Sequence, residues 1–366
     1  MHKKSTAFDK KNTRDFGADI VRITALFMVL WLHFYLRNGF YYTEITDLSG
    51  VIAVMFRPIL MCCVPLFMIL TGYLKCSKKW DLRYYRSLFP ILVSYLLISL
   101  IHLPYKIFFQ DQHASIGEWI LQILRFDLAN YSWYVGMYIG LFLLSPLLNL
   151  IWNACTNRKA HLAIVLTFVA LTFLPATVND TELGNLIPAY FQSVYYATYY
   201  IIGCYIRTYK PKIPKWICVL LIVSSAAVLA WVNITTRSEA ANYYSGFSTG
   251  YNGLIEGLMT TTCFLFLYSF STGKEKIRKA AAHVSGIVLE LYLLSYIIDT
   301  KIYVMFYKQY SMNLYLPVGF LMVLAVFILS YPLALCVNRI SKRIVSWAFG
   351  GRDSSSMSDV PKEHQR

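Results

Sequence analysis

GADIVRITALFMVLWLHFYL, residues 17–36, is the stretch whose reading decides the fold. It is apolar apart from Asp19, Arg22, Thr24 and His33, and it is long enough for a helix to cross a hydrocarbon core of about 30 Å. A soluble helix of this length would keep one face polar, and this one has none wide enough. No small-residue cleavage site follows it, so it reads as a retained span rather than a leader peptide.

Working outward, the same kind of run recurs. Including the first, about ten candidates fall near 20–37, 51–74, 87–108, 132–152, 161–178, 191–206, 216–233, 252–271, 284–306 and 314–336. The sixth is short and rich in tyrosine. Composition agrees: 57% of the 366 residues are hydrophobic and only 14% charged, and the mean hydropathy is +0.49. Soluble domains carry about 25% charged residues, and disordered chains carry more charge and less apolar surface than this one. The expected fold class is all-α, a polytopic integral membrane helix bundle.

A net charge of +15 suggests nucleic acid until the charges are placed. Of 34 Lys and Arg, 26 lie in segments 1–19, 75–86, 153–160, 207–215, 272–283 and 337–366, and four in the alternate loops (Arg37, Arg125, Arg237 and Lys308). That asymmetry predicts both termini cytoplasmic in a cell membrane and leaves no charge surplus for nucleic acid to explain. The expected organisation is a basic segment 1–19, a membrane domain 20–336 and a basic, partly disordered tail 337–366. The loop 109–131 contains IGEWILQILRF, expected to lie in the outer interface. The eight cysteines include no CxxC pair and no Cys/His cluster at ligand spacing, so neither a disulfide framework nor a metal is expected.

Ionisable groups inside spans cost about 2.5–3.5 kcal/mol each on insertion scales, and each is a functional candidate. Arg22 and His33 are eleven positions apart, about three turns, so they share a helix face with about 16 Å between them. Asp19, one turn before Arg22, is placed to cap the helix and pair with the guanidinium. Arg57, Glu256 and Glu290 are further embedded charges and candidate supports. Asp299 and Lys301 read as lying at the outer boundary, open to water. His102, beside Pro104, reads as structural.

These residues also carry a resemblance. DIVRITALFMVLWLHF (19–34) resembles the opening helix of the integral-membrane acyltransferase-3 family, with its Arg and His separated by ten residues. CCVPLFMILTGYLK (62–75) resembles that family's Val-Pro-Leu-Phe segment ending in Gly-Tyr-Leu, with Thr71 in place of Ser. DLRYYRSLFP (81–90) matches a basic approach to the third helix at Arg83, Arg86 and Pro90. SWYVGMYIGLFLLSPLLN (132–149) matches a later Trp-Tyr and Pro-Leu segment, and YYIIGCYI (199–206) matches more loosely. In a late span, ELYLLS puts Glu290 and Ser295 where the family often has Gly and His, so the role of that second histidine does not carry over.

The resemblance implies transfer of an acyl group, usually acetyl, from cytoplasmic acetyl-CoA to a glycan or lipid-linked saccharide of the cell envelope. Arg22 and His33 are then the candidate catalytic residues, and Arg22, Arg83 and Arg86 the candidate holders of the donor's charged end. His33 acts either as general base or as acyl carrier. Trp133 and Tyr134, with Tyr41, Tyr42 and Trp119, read for the most part as members of an interfacial belt, with stacking on sugars at the outer face as the alternative. Two alternatives stay open at this point: a transporter or flippase using the same embedded charges as a pathway, and a membrane sensor or binding module.

Overall fold

A computed structural model describes residues 14–45, 47–78, 80–179, 186–235, 250–309 and 314–349. Most of the basic N-terminal segment, the polar tail from 350, and Arg237 with most of its loop lie outside the described residues. Within them all regular structure is helical, as the composition requires.

Helix α1 (Phe16–Arg37) starts where Asp15 accepts a hydrogen bond from the Ala18 amide. Helices α2 (Leu48–Met61) and α3 (Cys63–Lys75) form one long apolar element interrupted at Cys62. Pro65 has no N–H to give the Met61 carbonyl, which accounts for the break. The short α4 (Leu82–Arg86), capped by Asp81, leads into α5 (Phe89–Phe109). Helix α6 (Ile116–Leu124) begins with a Ser115/Glu118 capping box and exposes Ile116, Ile120, Leu121 and Leu124, as an interfacial helix should.

Helices α7 (Trp133–Ala154) and α8 (Arg158–Val178) are followed by α9 (Tyr195–Tyr209), the short Tyr-rich run. Its tyrosines face the core. The Tyr200 hydroxyl donates to Asn149 Oδ1 at 2.8 Å and the Tyr199 hydroxyl to the Tyr251 carbonyl at 2.5 Å. Helices α10 (Lys215–Thr235) and α11 (Leu254–Tyr268) precede α12 (Glu275–Ser285) and α13 (Val288–Ile302), between which the chain bends by 62°. The last described helices are α14 (Val304–Gln309) and the 34-residue α15 (Tyr315–Ala348).

All ten apolar runs are helical, and seven described helices are long and apolar enough to cross a membrane, or eight if the bent pair counts as one span. Helices α9 and α11 have 15 residues each. At about 1.5 Å per residue each falls short of a 30 Å core. The lipid-facing surface belongs to outer helices such as α5, α8, α10 and α15, where Leu100, Leu166, Leu220 and Leu321 are exposed. Helix α1 lies inside, packed against α2, α3, α12, α13 and α15. Helix α15 continues to Ala348, so a large part of the expected tail is helix.

Candidate active site

The basic end of α1 is built around Asp19, which is 1% exposed. Its Oδ1 accepts from Arg14 Nε at 2.9 Å and Arg22 Nη1 at 3.3 Å. Ser285 Oγ, at the end of α12, accepts from Arg14 at 3.1 Å and Arg22 at 3.4 Å. Arg22 is therefore tied to α12, with part of its side chain left facing an internal cavity. Asp19 stands where its spacing put it, one turn before Arg22.

That cavity measures about 830 Å³ and lies between α1, α3, α5, α7, α13 and α15. Its wall is mostly apolar. The cations on it are Arg22, Lys75, Lys342 and Arg343, and it extends to Tyr134, Tyr138 and Tyr292. Lys75 also donates to the Tyr138 hydroxyl at 3.2 Å and sits 4.3 Å from the Phe142 ring centroid.

His33 is beyond the tyrosines. Its ring stacks on Tyr131 with centroids 3.7 Å apart and lies 6.0 Å from Tyr292. Tyr292 donates to the Tyr131 carbonyl at 2.7 Å, and the edge of Tyr134 meets its ring at 5.9 Å. His33 Nδ1 faces Asp299 Oδ2 at 3.6 Å. Asp299 also pairs with Arg37 Nε at 2.9 Å and accepts from the Tyr131 hydroxyl at 2.7 Å. His33 itself is not on the cavity wall. Arg22 is on the cavity wall, and Val29, one turn before His33, is too.

The reading of Asp299 needs correction. It is 0% exposed and is the centre of the His33 cluster, not a wet boundary group. Arg37, counted among the outer loops, is the last residue of α1 and its partner. The signal was present, a carboxylate within an apolar helix run, but hydropathy places a span boundary only to within a turn or so.

The other candidates are dispersed. Arg83 and Arg86 are exposed on α4 and outside the cavity wall; Arg86 lies over the Phe349 ring at 5.8 Å. Lys75, Lys342 and Arg343 are on the cavity wall instead. Lys342 and Arg343 were hidden because the sequence places the end of the last span at 336. Glu290 is on the wall, 4% exposed, accepting from Ser94 at 2.9 Å and Asn338 at 3.0 Å. Arg57 is buried in α2 with its Nε donating to the Tyr41 hydroxyl at 2.9 Å, and Glu256 is buried in the first turn of α11; neither reaches the cavity. Tyr134 lines the cavity, while Trp133 is exposed and stacks towards Tyr251 at 6.3 Å. His102 is buried with Nδ1 2.9 Å from the Ile98 carbonyl and is not on the cavity wall. Among the described residues no group of three or more His, Cys, Asp or Glu could hold a metal ion.

A family model described as an acyltransferase domain matches residues 15–335, from the cap of α1 deep into α15. The chain belongs to the acyltransferase-3 family. Membership makes it a membrane acyltransferase in the broad sense. No curated protein and no solved structure matches the chain. The matched region contains Arg22, His33, Asp299 and Glu290, so the histidine cluster and all of the cavity wall except its α15 side belong to the family domain. Lys342 and Arg343 fall beyond it.

Proposed function

We propose that this acyltransferase takes an acetyl group from cytoplasmic acetyl-CoA and delivers it to a hydroxyl of a cell-envelope glycan or lipid-linked saccharide. The observation that carries this reading is the cavity itself, with cations on its wall and its tyrosines standing in front of a buried His–Asp pair. Acetyl-CoA has the matching form, a polyanionic nucleotide followed by a long neutral arm ending in the thioester. Lys75, Lys342 and Arg343 suit the phosphates, and Arg22 lies further along the path. The basic end of the bundle is then cytoplasmic, in line with the Lys/Arg asymmetry.

In the reaction the acceptor hydroxyl gives its proton to the imidazole of His33, and its oxygen bonds to the thioester carbon. The C–S bond breaks, and the proton passes from imidazolium to the leaving thiolate, giving the ester and free CoA. Asp299, with Oδ2 3.6 Å from Nδ1, stabilises the positive charge formed on the ring. Because Tyr292 and Tyr131 lie beside the ring, the thioester reaches it only when their side chains shift.

The test is incubation of the purified full-length protein with labelled acetyl-CoA and envelope glycan. Wild type transfers or slowly hydrolyses the label. His33→Ala does neither, while it is still inserted in the membrane. Normal transfer by His33→Ala removes the catalytic role. A protein that ignores acetyl-CoA but moves lipid-linked saccharide across vesicles is a flippase.

A further inference from the structure

Among the described residues on the cavity wall, Glu290 is the single acid, facing four cations. Its position is built. Ser94 Oγ on α5 donates to Oε1 at 2.9 Å, and Asn338 Nδ2 on α15 donates to the same oxygen at 3.0 Å. Ser94 Oγ also lies 3.0 Å from Ser341 Oγ. A hydroxyl has one proton, so Ser94 shares its proton between Glu290 Oε1 and Ser341 Oγ. Two neighbouring helices thus fix one oxygen of the carboxylate with neutral donors. Oε2 receives no hydrogen bond from a described residue, and Glu290 borders the cavity. No ion pair joins this carboxylate to a cation in the described residues.

A carboxylate oxygen with a spare acceptor on a cavity wall takes a hydrogen bond from whatever donor occupies the cavity, water or ligand. The occupant is constrained by charge. A cationic ligand is disfavoured by Arg22, Lys75, Lys342 and Arg343, and a phosphate beside Glu290 is repelled. What fits is a ligand whose anionic end stays with the cations while a neutral segment bearing N–H groups passes Glu290.

We propose that Glu290 is the subsite for the amide-bearing pantetheine arm of the donor, with Oε2 accepting an amide N–H of that arm. The proposal rests on the thioester-donor reading above and adds where the arm is gripped. The Ser94, Asn338 and Ser341 network orients the carboxylate and does not itself touch the arm. Pantetheine reaches a membrane enzyme either as CoA or on a carrier protein, and both present the same amides.

Binding to the full-length protein in lipid nanodiscs distinguishes these sources, using acetyl-CoA, the nucleotide half of CoA alone, and S-acetyl-phosphopantetheine as the arm alone. Glu290→Ala is expected to weaken acetyl-CoA and the arm about tenfold, the loss of a hydrogen bond to a charged group, and to leave the nucleotide half unchanged. Glu290→Gln is the folding control. Its carbonyl still accepts from Ser94 and Asn338 while its NH₂ replaces Oε2, so the melting temperature holds and arm binding still falls. Strong binding of the arm with weak gain from the nucleotide half marks a carrier-protein donor; a large gain marks free CoA. Either pattern keeps the subsite. Equal arm affinity in wild type and Glu290→Gln overturns it, as does a parallel loss for the nucleotide half. Wild type that binds neither acetyl-CoA nor the arm overturns the donor reading itself, a result distinct from failure of Glu290 alone.

Discussion

Asp299 makes three polar contacts, with His33, Arg37 and the Tyr131 hydroxyl, in a site with no exposure to solvent. A buried carboxylate is strongly destabilising if its partners are removed, and its own removal leaves the half-buried Arg37 without its ion pair. Asp299→Asn keeps the shape and can still accept from Tyr131, but loses the charge that steadies a protonated His33. The expected outcome is a fall in kcat of about a hundredfold, in the range seen for general-base positioning, with KM for the donor nearly unchanged. Steady-state kinetics at saturating acceptor decide it. An equal loss in KM instead places Asp299 in donor binding. At this scale Arg22, His33 and Asp19 were legible because one helix fixes their relative positions. Asp299, Arg37 and Tyr131 were not, because they come from three separate segments and meet only in the fold.

Among elements, the crossing of α3 and α9 is the tightest. A Cβ on Gly72 would run into the Tyr200 carbonyl, and one on Gly203 into the Ile69 carbonyl. Backbone cannot step aside as a side-chain tip can, so small residues are required where two helices approach this closely. Gly72→Ala and Gly203→Ala are each expected to cost about 1–3 kcal/mol, read as a lower melting temperature in detergent. A control such as Gly140→Ala, which meets nothing within 4 Å, leaves it unchanged. Gly72 lies in the Gly-Tyr-Leu segment that carried the family resemblance, and the crossing gives that glycine a physical reason. The same packing explains how the 15-residue α9 is accommodated, since α3, α7 and α8 surround it and it makes little contact with the outside.

For the molecule as a whole, the Lys/Arg asymmetry predicts that the cavity opens towards the cytoplasm. Lys342→Cys, in a background with Cys336 and the other native cysteines replaced by Ser, is expected to react with a membrane-impermeant thiol reagent only in inside-out vesicles. Acetyl-CoA should slow that labelling several-fold. Reaction in right-side-out vesicles reverses the orientation, and labelling unaffected by donor separates the mouth from the donor path. The sequence by itself determined the helical membrane class, because apolar runs of spanning length have no other stable form in lipid, and it placed Arg22 and His33 on one face through helical geometry alone. Only the tertiary structure decided which helix ends face the cavity, that Lys75, Lys342 and Arg343 border it in place of Arg83 and Arg86, and that Asp299 is buried against His33. Periodicity within a helix is a local property of the chain. Which helix lies beside which, and where a span meets water, depends on packing between segments that one-dimensional hydropathy does not contain.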